Sequence, residues 1–347
     1  MINVGLVGFG FAGRTFHAPV ITSVPGMRLA GVVQRSGDEA ARMFRGTKVF
    51  RSTEELLSAT DIHLVVVATP NQSHFSIAKQ CLVNGRHVVV DKPFTTTSEE
   101  ARELIQIAGT NGRVLSVYHN RRWDGDFQTV RKLASDGALG RIAIYESHFD
   151  RFRPELRDGA WRERNQPGSG VLFDLGSHLL DQAFALFGTP EAITADVRIE
   201  RKGAVVNDAF DITLFYSEMR ALLRATMLAN TPGARFTLHG TLGSYVKYGM
   251  DPQEEALKAG RMPGGDDWGV ESEAHWGTLR LDQNGRTKIQ AVSTLPGDYR
   301  LFYANVRDAI EDGTPLAVTP TDALNVIIAL ELAEMSSRDG RRLTWPK

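Results

Sequence analysis

A chain of 347 residues is too long for one ordinary core and comfortable for two domains, and its 42% hydrophobic content is that of a globular protein. Its 40 Lys and Arg nearly cancel 41 Asp and Glu, which argues against a nucleic-acid or membrane-surface partner. The lone Cys81 excludes an intramolecular disulfide and a cysteine metal cluster, and its setting in SIAKQCLV predicts a small, buried apolar role.

From the N-terminus the chain alternates short apolar strands with helical stretches. INVGLVG, MRLAGVV, IHLVVVAT, RHVVVD and RVLSVY are β-branched and apolar on both faces, the pattern of a buried parallel sheet with helical crossovers. Thr97 and Glu100 stand at capping-box spacing before EEARELIQIA. After about residue 120 the pattern changes. IAIYESHF, AITADVRI, AFDITLFY and RALLRATML are longer, partly alternating strands with little helix between most of them, so a large and mainly antiparallel sheet is expected. Helices are expected near 299–312 and 320–336, and the polar, glycine-rich 251–269 reads as an exposed excursion. The fold class is therefore α/β: a Rossmann dinucleotide-binding domain over 1–120 and an α+β domain for substrate binding and oligomerisation over 121–347. An uncovered face of such a sheet is a natural surface for self-association, so a homodimer or homotetramer is expected. No apolar run approaches the about 20 residues that span a bilayer, and no cationic segment leads into an apolar signal core, so the protein is expected in the cytoplasm.

The first strand runs into GFGFAG, which sets Gly8, Gly10 and Gly13 at GxGxxG spacing with Phe9, Phe11 and Ala12 between them. Gly8 permits a tight turn, Gly10 lets a pyrophosphate approach the backbone, and Gly13 lets the following helix lie close to the sheet. The helix N-terminus offers free N–H groups to the phosphates. Gln34 stands where NAD-specific folds usually carry an acid for the ribose hydroxyls. With Arg35 and Ser36 beside it, the loop favours the 2′-phosphate of NADP over NAD. Strand ends at the carboxyl side of such a sheet gather ligands, which places Thr69, Pro70, Asn71 and His74 near the cofactor. His74 equally suits a first-turn helix residue with no part in chemistry. Lys92 and Pro93 end the next strand. FDLGSHLLDQAFALFG has helical periodicity, and Asp174 and His178, four apart, share one helix face.

GFGFAG, ATPNQSH, DKP at 91–93 and GSGVLFDLGSHLLD at 168–181, in that order over the whole length, resemble the Gfo/Idh/MocA family. Asp91 departs mildly from the family's usual Glu-Lys-Pro. RTFHAP, SVYHNRRWD and ESHFDRFRPELRD are similar to a narrower group, the NADP-dependent scyllo-inositol dehydrogenases and their relatives. The resemblance implies a dehydrogenase acting on a CH–OH group of a polyol or sugar, with scyllo-inositol as the leading substrate, and a cis Lys92–Pro93 bond. It also implies the catalytic set Lys92, Asp174 and His178. Alcohol oxidation needs a base for the hydroxyl proton and a fixed positive donor for the developing oxyanion. His178 suits the first task and Lys92 the second, while Asp174 binds the polyol. Tyr118, Asn120, Arg122, Trp123, Asp150, Trp161 and Arg162 are candidate pocket walls, and no metal is expected, because the nine histidines are scattered. The alternatives are a general sugar dehydrogenase or reductase of the same family and a non-catalytic dinucleotide sensor. Retention of Lys92, Asp174 and His178 together argues against a sensor, which has no use for a proton-transfer pair. The Tyr-x-x-x-Lys spacing of short-chain dehydrogenases does not occur.

Overall fold

The computed structural model describes residues 1–156, 163–283 and 285–346. It divides into two compact units, one of Met1–Trp123, Gln253–Trp268 and Asp298–Ile327, the other of Asp124–Pro252, Gly269–Gly297 and Ile328–Lys347. The division expected after residue 120 falls close to the first boundary. The expectation that 121–347 forms one body is corrected, because two later segments return to the first unit. Leu257, Trp268, Tyr299, Phe302, Tyr303, Val306 and Val318 are buried in the same cluster as Val4, Leu6 and Leu29. The stretch read as an exposed excursion thus carries the helix Gln253–Lys258 and two core anchors. Trp268 donates its indole N–H to Gln253 Oε1 at 3.1 Å, so the tryptophan is buried with its polar group satisfied.

The first unit is a six-stranded parallel sheet. Its strands are β1 (Ile2–Val7), β2 (Met27–Val33), β3 (Lys48–Phe50), β4 (Leu64–Val67), β5 (His87–Val90) and β6 (Leu115–Val117), in the order β3-β2-β1-β4-β5-β6. Helices α1 (Ala18–Thr22), α2 (Glu39–Met43), α3 (Thr53–Ser58), α4 (His74–Val83) and α5 (Ser98–Thr110) make the crossovers. Strand order reverses between β1 and β4, and open sheets of this kind bind ligands outside the strands' carboxyl ends at such a point. Five strands are legible as apolar runs, whereas β3 is only three residues of a half-exposed edge. Thr97 caps α5 by accepting the Glu100 N–H at 3.3 Å, and the Glu100 carboxylate accepts from the Thr96 N–H at 3.1 Å. Cys81 is fully buried in α4, and burial pushes its thiol up to about 12, so it is inert at neutral pH.

His87, at the start of β5, accepts the Val114 N–H on Nδ1 at 2.9 Å. Burial, then the charges of Arg113 and His63, pull its pKa down from 6.5 to about 4. Below pH 6.5 the unfolded chain therefore binds a proton that the folded chain refuses until about pH 4, so stability falls as pH drops through that window. Burial lowers His74 in the same sense. In thermal scans from pH 7 to pH 4, Tm should fall, and His87→Asn should flatten part of that fall. An unchanged slope in the variant would exclude His87 as a contributor.

The second unit opens with α6 (Gly125–Ser135) and β7 (Ile142–His148), followed by α7 (Ser177–Phe187). Strands β8 (Ala192–Arg198), β9 (Ala209–Phe215), β10 (Arg220–Thr226), β11 (Phe236–Gly240), β12 (Gly243–Lys247), β13 (Gly277–Gln283), β14 (Arg286–Val292) and β15 (Leu343–Thr344) complete a nine-stranded sheet with β7. Its order is β14-β13-β12-β11-β7-β10-β9-β8-β15, and the β7–β10 pair is parallel in an otherwise antiparallel sheet. Alternation sends Phe210, Ile212, Leu214, Ala221 and Leu223 to the buried face. On the other face Asp211 pairs with Arg198 at 2.8 Å and with Arg224 at 2.6 Å. Exposed pairs of this kind add little stability, and they leave that face polar. Among the described residues, no helix is long and apolar enough to cross a membrane.

Candidate active site

In the first unit the glycine loop meets the physical demands of its motif. Gly8 has φ +101°, and a Cβ there would lie 2.4 Å from the Ala68 carbonyl oxygen. A Cβ on Gly13 would lie 2.0 Å from the Gly8 oxygen, so only glycine lets the chain turn this tightly. At Gly10 a Cβ would meet nothing within 4 Å, which leaves open space where a pyrophosphate would approach. Phe9 packs edge-on against Phe44, while Phe11 is exposed beside Phe16, and Ala12 is half-buried. Five residues of wider, π-type winding, Gly13–His17, follow the loop before α1.

Beyond β2, Gln34 turns its Oε1 onto the Ala40 N–H at 3.1 Å, at the start of α2. Its amide thus braces the loop in which Arg35 and Ser36 are exposed. Two acids in that loop are neutralised by arginines that motif reading overlooked. Arg51 pairs with Asp38 at 2.7 Å and donates to the Gln34 and Gly37 carbonyls, and Arg14 pairs with Glu39 at 2.9 Å. Arg35 thus stands in a loop whose neighbouring acids, Asp38 and Glu39, are already paired.

At the end of β4, Pro70 is exposed, Asn71 is buried, and the Thr69 hydroxyl accepts from Ser73 at 2.8 Å. His74 is fully buried, with Nδ1 2.9 Å from the Pro93 carbonyl and Nε2 2.9 Å from the Thr69 carbonyl. His74 thus stands between the end of β4 and the segment after β5, and its neutral ring can donate to one of the two carbonyls. Lys92 is half-buried, its N–H donates to Asp91 Oδ1 at 2.8 Å, and the Lys92–Pro93 bond is cis.

The wall candidates of the first unit separate. Asn120 is half-buried at the start of a short turn. The buried Tyr118 donates its hydroxyl to the Phe16 carbonyl at 3.0 Å. Arg122 donates to the Ala317 carbonyl at 2.6 Å and faces Asp322 at 3.4 Å, and Trp123 stacks edge-on against Phe302. These three side chains hold the returning helix Arg300–Asp312 and the loop after it. Trp161 and Arg162 lie outside the described residues.

In the second unit, α7 is preceded by a π-type turn, Leu172–Gly176, that carries Asp174. Asn207, from the loop between β8 and β9, accepts the Leu172 N–H on Oδ1 at 2.8 Å, and its carbonyl accepts the Val171 N–H at 2.9 Å. It thus satisfies the helix start from outside. Gly170, at φ +86°, leaves room for Asn207, whose side chain a Cβ would meet at 2.6 Å. His178 is 6% exposed, its ring centroid 6.2 Å from that of Phe149, while Asp174 is half-buried. One turn on, Gln182 accepts from Arg235 at 2.8 Å. That guanidinium lies between the rings of Phe149 and Phe236, at 4.4 and 4.2 Å, and pins α7 to the sheet. Asp150 lies just past the end of β7. Its carboxylate contacts His148 at 3.3 Å and accepts the Gly233 N–H at 3.0 Å.

Residues 2–119 match the family model described as an oxidoreductase family, NAD-binding Rossmann fold, and residues 131–345 match the one described as an oxidoreductase family, C-terminal alpha/beta domain. The chain is 44% identical over 337 residues to the uncharacterised oxidoreductase YdgJ of Escherichia coli, covering 97% of this chain and 96% of that protein. It is 37% identical over 342 residues to the scyllo-inositol 2-dehydrogenase (NADP(+)) IolW of Bacillus subtilis, covering 99% and 95%. The solved structure of the oxidoreductase yvaA of Bacillus subtilis superposes with a TM-score of 0.97 at 37% identity, covering 99% of this chain and 98% of that one.

Proposed function

The chain belongs to the Gfo/Idh/MocA oxidoreductase family, and on that premise we propose that it oxidises a ring secondary alcohol of a cyclitol or sugar with NADP, scyllo-inositol being the substrate put forward. The observation that carries this reading is the near-full-length likeness to IolW. Bound NADP would supply the hydride acceptor, and the residues of this chain supply the rest. The open space at Gly10 and the compensated loop around Arg35 fit its phosphates. His178 takes the hydroxyl proton, because an imidazole accepts a proton near neutral pH. Lys92 donates to the oxygen as negative charge develops on it. Asp174 binds an adjacent hydroxyl and orients the ring. We place the enzyme in the cytoplasm, as a homodimer or homotetramer paired through the polar face of the second sheet, a state read by its mass in solution.

The test is a screen of purified protein across inositols and aldoses with both nicotinamides. NADP-dependent oxidation of scyllo-inositol supports the reading. Turnover of an aldose pyranoside with no inositol oxidised would assign the enzyme to sugars instead. For the cofactor, a charge-assisted bond contributes about 1.5–3 kcal/mol, roughly 10- to 150-fold in binding. Arg35→Ala should therefore lower kcat/KM with NADP by that factor and leave the value with NAD nearly unchanged. Equal losses with both nicotinamides would remove Arg35 from 2′-phosphate recognition.

A further inference from the structure

His17 and Asp91 belong to two sequence motifs, RTFHAP and DKP, that the chemistry above leaves unused. They meet in the first unit. His17 ends the π-type turn after the glycine loop and is fully buried. Its Nδ1 lies 2.6 Å from the Tyr303 hydroxyl, and its Nε2 faces Asp91 Oδ2 at 3.6 Å. The other Asp91 oxygen accepts the Lys92 N–H at 2.8 Å. The Tyr118 ring covers the imidazole at 4.4 Å between centroids. A continuous line of contacts thus runs from the returning helix through Tyr303, His17 and Asp91 to the backbone of Lys92.

Electrostatics selects the proton positions along this line. Burial drives the Tyr303 phenol well above its ordinary pKa, so it stays neutral and keeps its O–H. A bare Nε2 lone pair facing a carboxylate would be repulsive. The stable arrangement has Tyr303 donating to Nδ1 and the proton of His17 on Nε2, directed at Asp91. The groups around the carboxylate are His17, Lys92 and His74, with Tyr303 and Tyr118 behind the imidazole. Burial alone would raise Asp91, but the opposing pull of the His17 N–H and the Lys92 charge holds it below the usual carboxylate range.

We propose that His17 is a positioning residue for Lys92: with Tyr303 behind it, His17 fixes the Asp91 carboxylate, which in turn holds the strand end from which the Lys92 ammonium is presented. This rests on the role assigned to Lys92 above. Small misplacements of a catalytic group are costly, and a 1 Å error can cost about 10²-fold. His17→Phe keeps a flat ring but loses both nitrogens, and should lower kcat roughly 10- to 100-fold. NADP affinity should hold, because the glycine loop does not depend on either nitrogen.

The decisive experiment is a double-mutant cycle on single-turnover hydride transfer from scyllo-inositol to NADP. In a Lys92→Met background, His17→Phe should add no further loss. Equal losses in both backgrounds would mean a merely structural role and overturn the proposal. If Lys92→Met itself leaves turnover intact, the reading of Lys92 has failed, which is a separate result. Tyr303→Phe, which deletes one hydroxyl, repeats the cycle should His17→Phe not fold. Histidine-detected ¹H–¹⁵N NMR of the protein without cofactor gives an independent readout. His17 should show a protonated Nε2 and a bare, hydrogen-bonded Nδ1, and Asp91→Asn should shift both signals. A protonated Nδ1 with a bare Nε2 would overturn the assignment.

Discussion

Replacing His178 with Ala is expected to lower kcat by roughly 10²–10⁴-fold, the usual worth of a positioned acid–base group. The helix that carries His178 has other anchors. Asn207 satisfies the helix start, and Gln182 receives the sandwiched Arg235 one turn further on. The variant should therefore fold and keep α7 in place. Affinity for NADP should change little, because the glycine loop and Arg35 lie on the first unit. Steady-state and single-turnover rates, read beside a binding titration, separate the two quantities. Near-normal turnover in a folded variant would remove His178 from the mechanism and leave the fold assignment untouched.

The parts of this protein that were legible in its sequence are those in which a local requirement leaves few residue choices. Gly8 and Gly13 are readable because a positive φ and approaches of about 2 Å admit no side chain. Strands β1, β2, β4, β5 and β6 are readable because a strand buried on both faces must be apolar throughout. By contrast β14, RTKIQAV, is an edge strand with mostly exposed side chains, so no buried apolar face marks it. The return of Tyr299, Phe302 and Tyr303 to the first unit is a long-range packing choice that no local pattern encodes.

Side-chain direction was the other blind spot. Tyr118, His74 and Asp150 stand near ligand-binding stretches in the sequence. What their motifs do not supply is the partner each side chain finds: the Phe16 carbonyl, the Thr69 and Pro93 carbonyls, and His148. A single motif shows that His17 and Asp91 are present, but their pairing appears only when helix and strand are folded together.

Lys92→Met is expected to reduce kcat by about 10²–10³-fold, roughly 2.7–4 kcal/mol, the loss seen when one preorganised donor to a developing oxyanion is removed. Methionine keeps an unbranched side chain of similar length, so the half-buried position is filled and the strand end undisturbed. On the proposed role, what disappears is a positive charge beside an oxygen that becomes negative as its proton leaves to the base. Its contribution is larger in the transition state than in the bound alcohol, so the loss should fall mainly on kcat, with a smaller change in KM. Lys92→Arg should recover only part of the rate. A guanidinium preserves the charge but spreads it over a rigid fork that cannot present a compact ammonium at the same point. Full recovery by Arg would mean that charge alone suffices and placement does not matter. A loss confined to KM in Lys92→Met would make Lys92 a substrate-binding group without a part in the chemical step.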